Sequence, residues 1–298
     1  MDTSVSGHIL AYDCGLRYGN SGTEGTMGYS IIGITLVLVV LLLFPFFLWV
    51  YQPFWVIRIL SRLFTKLILY VPTEKNVFAI TFDDGPNPPY TDGVLSILRK
   101  HDVKATFFVV GKRVETHPEY IEIIRKEGHQ LCNHLYSTTM ALLLSRQQFV
   151  ESLLSTEELI NEQNDPKLVR PPSSLFRFWM FDLAKTYGYS VVLGSAYTLD
   201  WCKPPRWYMR WALKRMLRPG IIVVVHDGGG NRQRTLDVLP DVIVEAQRRN
   251  LRPVTLDELI RSSDRNPRSN AVQLLGAKRP HAGCPIGSWP MLSCWCQF

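Results

Sequence analysis

The sequence predicts an α/β domain with a parallel sheet, open or closed into a barrel, preceded by one apolar helix long enough to cross a membrane. Between Val77 and Ile260, short apolar runs of strand length alternate with segments that have the apolar spacing of helices. The short runs are apolar almost throughout, which is typical of parallel strands covered on both faces. Upstream of them, no charged residue occurs from Tyr29 to Val50.

The composition is that of a globular protein, with 298 residues and a hydrophobic content of 46%. The formal net charge is +7, but part of the excess is local, at Arg58, Arg62 and Lys66 and again after residue 264. No basic patch is interleaved with aromatic residues, so we expect no nucleic-acid partner and favour anionic lipid headgroups. No Gly-x-Gly-x-x-Gly follows a strand and no P-loop occurs, which disfavours a nucleotide-binding fold.

The apolar stretch at residues 29–51 is interpreted as a retained single-pass membrane anchor after an N-terminal tail at residues 1–28. A cleaved signal peptide is the alternative. The stretch is longer than the apolar core of a typical signal peptide, and no small-x-small cleavage site follows it. The sequence therefore favours membrane lipid as a partner of the N-terminal region.

Residues 52–74 connect the anchor to the domain. Within Pro53–Val71, Arg58, Arg62 and Lys66 recur at every fourth residue and so share one face of a helix, while apolar residues cover much of the rest. This pattern predicts an amphipathic helix lying on the membrane surface. A helix packed on the following domain is equally compatible with it.

The domain is expected over residues 75–263, and residues 264–298 are expected to form a disordered tail because the alternating pattern stops there. Gly128 and Gly188 lie where helix C-caps are expected. The predicted strands are Val77–Phe82, Ala105–Val110, Gln130–Asn133, Ser190–Leu193 and Ile221–Val225. The predicted helices are Tyr90–His101, Glu119–Glu127, Arg146–Glu162, Phe176–Tyr187, Trp207–Leu217 and Leu236–Arg249.

The segment Thr81-Phe82-Asp83-Asp84-Gly85-Pro86 places two adjacent carboxylates directly after the first of these strands. Like charges so close raise one pKa, unless an opposite charge or a metal ion stabilises the carboxylate form. Gly85 and Pro86 then predict a sharp turn that holds both side chains at the carboxyl end of the strand. In isolation, an Asp-Asp-Gly segment is more typical of an acidic turn or a helix N-cap than of a catalytic site.

Four further polar clusters follow apolar runs of the same domain. Because the carboxyl ends of parallel strands meet at one edge of a sheet, we expect all of these side chains to lie close together. The clusters are Gly128–His134, Val169-Arg170-Pro171-Pro172, Thr198-Leu199-Asp200-Trp201 and His226-Asp227.

With these clusters in this order, the chain resembles the polysaccharide deacetylase family, also called the NodB homology group or carbohydrate esterase family 4. The resemblance covers about Asn76 to Ile260, and Thr-Phe-Asp-Asp-Gly-Pro is its most specific motif. It implies a distorted (β/α)7-type barrel. It also implies removal of N- or O-acetyl groups from chitin, peptidoglycan or a related glycan with one divalent metal ion.

The resemblance assigns the proton transfers to four residues. It implies that Asp83 is the general base and that Arg170 orients it. It implies that His226 is the general acid for the leaving amine and that Asp200 pairs with this histidine. A carboxylate and a histidine with different pKa values are suited to dividing the base and acid roles of amide hydrolysis.

The resemblance also implies a metal site and a substrate pocket. Asp84 and His134 match the metal ligands of the family, with zinc as the expected ion and cobalt or another divalent ion as alternatives. Such an ion lowers the pKa of water and polarises the acetyl carbonyl. Contacts with the substrate are expected from Trp201, Pro171 and Tyr136.

Two motifs depart from the family pattern. Thr138 stands where the family has a second metal-binding histidine, and a neutral hydroxyl is a much weaker zinc ligand than imidazole. Ser173 and Ser174 stand where an aromatic residue and a glycine are typical. The site is then expected to bind metal more weakly, to recruit a remote ligand, or to bind glycan without cleaving it.

The sequence therefore predicts a membrane-anchored, metal-assisted deacetylase of an N-acetylated sugar or a related acetamide. The alternative is a membrane-tethered pseudo-deacetylase that binds glycan or a partner protein. The side of the membrane stays open. The basic flank after the anchor predicts a cytosolic domain, whereas glycan chemistry favours the lumen or exterior.

Overall fold

The computed structural model describes residues 22–161, 164 and 167–263. The chain divides into two compact units, one ending at Gln52 and one beginning at Pro53. The first unit contains helix α1, Gly22–Tyr51. Its Gly33–Tyr51 part is, among the described residues, the one helix long and apolar enough to cross a membrane, a test that a signal sequence also passes. Residues 1–21 and the predicted tail at 264–298 lie outside the described residues.

The second unit is built on a sheet of nine strands whose pairings are all parallel. The strand order is β1-β6-β5-β4-β3-β2-β8-β7, and β9 pairs with β2. The sheet is curled and stays open between β1 and β7 in the described part of the chain, so the predicted α/β fold is confirmed as a half-barrel. The strands are β1 Leu67–Ile68, β2 Val77–Gly85, β3 Thr106–Val109, β4 Gln130–Asn133, β5 Lys167–Val169, β6 Tyr189–Val192, β7 Ala196–Tyr197, β8 Ile222–His226 and β9 Arg252–Val254.

Helices follow most of the strands, as the alternating sequence pattern predicts. Gly128 and Gly188 have φ values of 74° and 80° just after α5 and α7, as predicted for C-cap positions. The α-helices of this unit are α2 Phe54–Leu63, α3 Tyr90–Lys100, α4 Gly111–Thr116, α5 Glu119–Lys126, α6 Arg146–Ile160, α7 Trp179–Thr186, α8 Arg206–Met216, α9 Gln233–Arg248 and α10 Leu256–Arg261. Short 3₁₀ helices cover Ala141–Leu143, Pro172–Ser174 and Asp200–Cys202.

Strand β2 forms the centre of the core, because it pairs with β3, β8 and β9. Phe78, Ala79 and Ile80 have no exposed surface. A strand covered on both faces needs apolar residues at consecutive positions. The run Val77–Phe82 therefore predicts a strand although apolar and polar residues do not alternate in it. The strand thus carries the Asp-Asp pair out of the interior to one edge of the sheet.

The helix predicted over Pro53–Val71 is wrong in its second half. Helix α2 ends at Leu63, and Leu67 and Ile68 pair in parallel with Val191 and Val192 of β6. Leu67 is buried, because the apolar residues after Phe64 complete the sheet beside β6 and no longer follow a helical face. The sheet therefore begins upstream of residue 75.

Helix α2 packs on the unit by one face only. The ring of Phe54 lies 5.1 Å from that of Tyr70, and the guanidinium of Arg218 lies 4.2 Å above it. Trp55, Ile59 and Leu63 are exposed instead. The helix is thus attached to the domain and still presents an apolar stripe to its surroundings.

Candidate active site

The predicted catalytic and metal-binding side chains, with the exception of Thr138, come together at the carboxyl edge of the sheet. Asp83 is the register partner of His226 on the neighbouring strand β8. His134 follows β4, and Arg170 follows β5. Asp200 begins the 3₁₀ helix after β7. Parallel strands bring these positions together because their carboxyl ends share one edge.

Asp84 occupies a β-bulge. The register of β2 against β3 shifts between Asp83 and Gly85, and Asp84 has a φ of 69°. In a regular strand, neighbouring side chains point to opposite faces, whereas a bulge re-aims one of them. Both carboxylates can therefore serve the same site. The bulge holds them there at the end of the strand, a role that the sequence predicts for the Gly85-Pro86 turn.

Asp83 and Arg170 form a buried ion pair. Nη1 of Arg170 donates to Oδ1 of Asp83 at 2.5 Å and to Oγ1 of Thr81 at 2.7 Å. Nη2 donates to the carbonyl of Leu193 at 2.7 Å. Arg170 has no exposed surface, so its position is fixed by these bonds. The arrangement holds one Asp83 carboxylate oxygen and leaves the other for a further partner.

Asp84 and His134 form a second pair. Nε2 of His134 lies 3.4 Å from Oδ1 of Asp84, and its Nδ1–H donates to the carbonyl of Arg170 at 2.7 Å. Burial raises the pKa of Asp84, but the hydrogen bond and charge of His134, helped by His226 and Arg113, hold this pKa well below its usual range. A histidine whose Nδ1–H is fixed by a carbonyl presents Nε2 as a lone-pair donor, as metal-binding histidines do.

The third ligand position is not filled by a strong donor. Thr138 is exposed in the loop after β4. Within the described ranges, no group of three His, Cys, Asp or Glu side chains is placed to hold a metal ion. Asp84 and His134 therefore fit a divalent ion as a two-ligand site that would take its other ligands from water or substrate.

His226 and Asp200 form a third pair. Nδ1–H of His226 donates to Oδ1 of Asp200 at 2.8 Å, and the backbone N–H of His226 donates to Oδ2 at 2.8 Å. Burial lowers the pKa of His226, but the charge and hydrogen bond of Asp200, with the charges of Asp83 and Asp84, raise it to about 9. The imidazole is therefore protonated at neutral pH and suited to donating a proton.

Arg232, just before α9, and Thr235, in α9, hold Asp200 in place. No motif in the sequence predicts either role. Arg232 is 5% exposed, and its Nη1 donates to the carbonyl of Asp200 at 3.3 Å. Its Nε and Nη2 donate to the carbonyls of Gly228 and Gly229. Oγ1 of Thr235 donates to Oδ2 of Asp200 at 3.1 Å. A lone Arg in a polar segment is typical of a surface, so the sequence carried no signal for this role.

Gly228, after β8, and Gly85, at the end of β2, allow close approaches between segments of the site that the sequence does not predict. A Cβ on Gly228 would lie 1.7 Å from the carbonyl oxygen of Asp84, so only glycine allows the loop to approach the bulge. A Cβ on Gly85 would lie 2.4 Å from a carboxylate oxygen of Asp227. Asp227 is fully buried and accepts a hydrogen bond from Thr91 at 2.6 Å, and its burial raises its pKa to about 7.

The three predicted substrate contacts differ in accessibility. The indole of Trp201 is 44% exposed, and its ring lies edge-on to His226 at 5.8 Å between centroids. Pro171, next to Arg170 in the chain, is buried. The hydroxyl of Tyr136 donates to Oε2 of Glu115 at 2.7 Å. Trp201 is therefore the predicted contact best placed to touch an acetyl group beside His226.

The altered motif that contains Ser173 and Ser174 keeps its turn without glycine. Ser173 and Ser174 have φ values of 63° and 54° in the 3₁₀ segment after Pro171. The left-handed conformation costs about 1–2 kcal/mol for a residue with a Cβ, which explains the glycine that the family places here.

Both Ser174→Gly and Ser174→Ala lose the side-chain hydrogen bond to Tyr197. We expect Ser174→Gly to be the more stable of the two by roughly 0.5–1 kcal/mol, after subtracting the entropic cost of glycine from the strain that it removes. Urea denaturation followed by circular dichroism would measure this difference. Ser174→Ala keeps the Cβ and is the matched control, for which we expect no gain. Equal effects of glycine and alanine would show that the left-handed turn stores no strain.

The comparisons with known proteins agree with this geometry. A curled parallel half-barrel that carries acidic and histidine pairs at its carboxyl edge defines the class of the NodB-type carbohydrate deacetylases. The profile described as "Polysaccharide deacetylase" matches residues 70–192. A peptidoglycan-N-acetylglucosamine deacetylase of Bacillus cereus is 34% identical over 194 residues, which cover 64% of this chain and 91% of that protein. The chain belongs to the polysaccharide deacetylase family.

Other similar proteins include enzymes and a restored pseudoenzyme. A chitooligosaccharide deacetylase of Bradyrhizobium is 31% identical over 57% of this chain and 84% of its own. A crystal structure of a peptidoglycan N-acetylglucosamine deacetylase superposes with a TM-score of 0.63 at 29% identity, covering 67% of this chain and 95% of its own. A mutant CE4 family pseudoenzyme with restored enzymatic activity superposes with a TM-score of 0.61 at 26% identity, covering 66% of this chain and 72% of its own.

Proposed function

We propose that this protein is a hydrolase that removes acetyl groups from an N-acetylated carbohydrate, such as a chitin oligomer or a peptidoglycan fragment. The observation that carries this proposal is the separation of two proton-transfer groups on neighbouring strands. Asp83 is a carboxylate held by Arg170, and His226 is an imidazolium held by Asp200. Amide hydrolysis needs one base for the attacking water and one acid for the poor leaving group.

In the proposed reaction, Asp83 accepts a proton from the attacking water while the water oxygen bonds to the acetyl carbon. The C–N bond then breaks, and His226 gives its proton to the departing nitrogen, so that acetate and a free amine are formed. Arg170 keeps Asp83 oriented, and Asp200 keeps the imidazole protonated and turned towards the site. Trp201 borders the acetyl group beside His226.

One divalent ion, zinc or another such as cobalt, is part of the proposal, with Asp84 and His134 as its protein ligands. Bound there, the ion would lower the pKa of water and polarise the acetyl carbonyl. The fixed tautomer of His134 and the position of Asp84, 3.4 Å from its Nε2, support this assignment. With only two protein ligands of this kind, we propose that the ion binds more weakly than in a three-ligand site.

We expect Thr138→His to tighten zinc binding by at least about tenfold, since even residues that merely support a ligand contribute 10–100-fold to affinity. Titration with zinc against a chromogenic chelator would measure this change. Thr139→His adds the same side chain at the next exposed position and is the matched control. An equal effect of both variants would contradict the assignment of position 138 to the metal site.

The direct test of the function is acetate release by the full chain from chitooligosaccharides and peptidoglycan fragments, with and without added zinc. Release that disappears in Asp83→Asn is the expected result. If no acetate forms from any acetylated substrate at any metal concentration, the enzymatic proposal fails.

The second candidate function is a pseudo-deacetylase that binds glycan without cleaving it. The missing third ligand among the described residues favours this reading, since it removes a contact that would hold the metal ion. Calorimetric binding of chitooligosaccharide without acetate release would support it. The intact Asp83–Arg170 and Asp200–His226 pairs favour the enzyme, because a binding site needs neither.

We also propose that α1 anchors the protein in a membrane as a single-pass helix, so that membrane lipid is a second partner. Its Gly33–Tyr51 part meets the length and apolarity required. Protease protection of the domain in sealed vesicles would determine which side of the membrane holds it. Cleavage of α1 from the mature protein would contradict the anchor.

A further inference from the structure

A set of large apolar side chains is exposed on α2, on the 3₁₀ segment Ala141–Leu143 and just after the 3₁₀ segment Pro172–Ser174. We name this set the apolar rim and define it as Trp55, Ile59, Leu63, Leu143, Leu175 and Phe178. Phe178 is 70% exposed, Leu63 69% and Leu143 64%. Single exposed apolar residues are ordinary, whereas a continuous group of this size marks an interaction surface.

The apolar rim is continuous from α2 to the loops around the site. The ring of Phe64, at the end of α2, stacks on that of Phe178 with 6.3 Å between centroids. One residue before Phe178, Nε of Arg177 donates to the carbonyl of Leu142 at 2.9 Å. This bond ties the segment before α7 to the 3₁₀ segment Ala141–Leu143, which also contacts the 3₁₀ segment Pro172–Ser174.

Both 3₁₀ segments extend directly from residues of the site. Pro172–Ser174 begins two residues after Arg170, and the side chain of Ser174 is hydrogen-bonded to Tyr197, which also lies in the field of Arg170 and Asp83. Ala141–Leu143 follows the altered loop that carries Thr138. The two motifs that depart from the family pattern therefore carry the end of the apolar rim that is nearest to the catalytic groups.

A lipid bilayer is the occupant that fits the apolar rim. On α2, Trp55, Ile59 and Leu63 form one stripe, and Arg58 and Arg62 form a parallel stripe beside it. An exposed apolar face flanked by basic residues is typical of helices that lie in the headgroup region. Only Gln52 and Pro53 separate α1 from α2 in the chain, so an anchor in α1 would keep α2 at the membrane surface.

We infer that the apolar rim rests on the bilayer and that the substrate is an acetylated sugar joined to a membrane lipid, not a free polysaccharide. This inference rests on the proposed deacetylase function and names its substrate class. A surface that reaches from the membrane to the carboxyl edge of the sheet would let the sugar enter the site while its lipid stays in the bilayer.

The test uses the full chain in vesicles of phosphatidylcholine with phosphatidylglycerol. Acetate release is measured from two substrates, chitotetraose in solution and a synthetic N-acetylglucosamine glycolipid in the same vesicles. We expect the wild type to release acetate faster from the glycolipid. We expect Phe178→Asp to lower the glycolipid rate by roughly tenfold, because the side chain at this position would no longer be buried in the bilayer, with little change in the rate on chitotetraose. Equal loss on both substrates, or no loss, would overturn the inference.

The variants are chosen to preserve the fold. Phe178 lies at the N-terminus of α7, where a negative charge is favourable. Leu143→Asp is the second variant of the apolar rim. Val244→Asp, at an exposed apolar position of α9 outside the apolar rim, is the matched control and should change neither rate.

A photocrosslinking measurement separates this inference from the proposed function. The photoreactive p-benzoylphenylalanine replaces Phe178 or Val244 in the same vesicles. Crosslinks to lipid from position 178 and not from 244 would support the membrane contact even if neither substrate released acetate, a result that would refute only the deacetylase proposal. Crosslinks from position 178 to a second copy of the chain would overturn the membrane contact.

Discussion

Replacing Asp83 with asparagine is expected to lower acetate release by about 10²–10⁴-fold, the usual contribution of a positioned general base. The same change should lower the free energy of unfolding by about 3–5 kcal/mol, because it leaves a buried charge without its partner. That charge is the guanidinium of Arg170, which has no exposed surface. Acetate release and urea denaturation of the same preparation would measure both effects, at a temperature where the variant is folded.

The matched control for Asp83→Asn is Asp182→Asn, which removes one partner of an ion pair with Lys66. Both side chains of this pair are more than half exposed, at 58% and 66%. An exposed pair of this kind contributes about 0–1 kcal/mol, and we expect no change in turnover. If Asp83→Asn kept normal activity while losing stability, the Asp83–Arg170 pair would be structural and another group would be the base.

Replacing Asp200 with asparagine is expected to shift the basic limb of the pH–rate profile to lower pH by more than two units. In the wild type the pKa of His226 is about 9, so the acid form is present below that pH and is lost as the pH rises through it. Without the charge of Asp200, burial is opposed only by the charges of Asp83 and Asp84, so this pKa falls towards its ordinary value of 6.5. With a pKa near 6.5, the protonated fraction at pH 8 would fall to roughly 3%.

The measurement for Asp200→Asn is kcat/KM for acetate release between pH 5 and 10. The expected result is a variant that keeps part of its activity at pH 5–6 and loses it at pH 8. Asp241→Asn changes an exposed carboxylate of α9 and should leave the profile unchanged. A uniform loss at every pH would show that Asp200 positions the site without setting the pKa of His226.

Much of the fold could be predicted because the longer strands are apolar at consecutive positions. The predicted bounds of Gln130–Asn133 are those of β4, and the runs of β2, β3, β6 and β8 were placed within a few residues. The strands β1, β7 and β9, of two or three residues each, are too short to have a period of their own. Their conformation is decided by the neighbouring strand with which each pairs.

The residues of the site could be predicted from the sequence, but the contacts that hold them in place could not. Asp83, His134 and Arg170 were identified from the motifs, and the structure brings them together. The residues around Asp84 do not predict the bulge, because a bulge depends on the register between two strands. The role of Arg232 depends on carbonyls of the β8–α9 loop and of Asp200, which no local pattern relates to it.

The register of Asp83 against His226 fixes how far apart the base and the acid of the proposed reaction are held. The two residues are partners on adjacent strands, and adjacent strands keep a separation of about 4.8 Å. The backbone positions of both proton-transfer groups are therefore set by the sheet before any substrate binds.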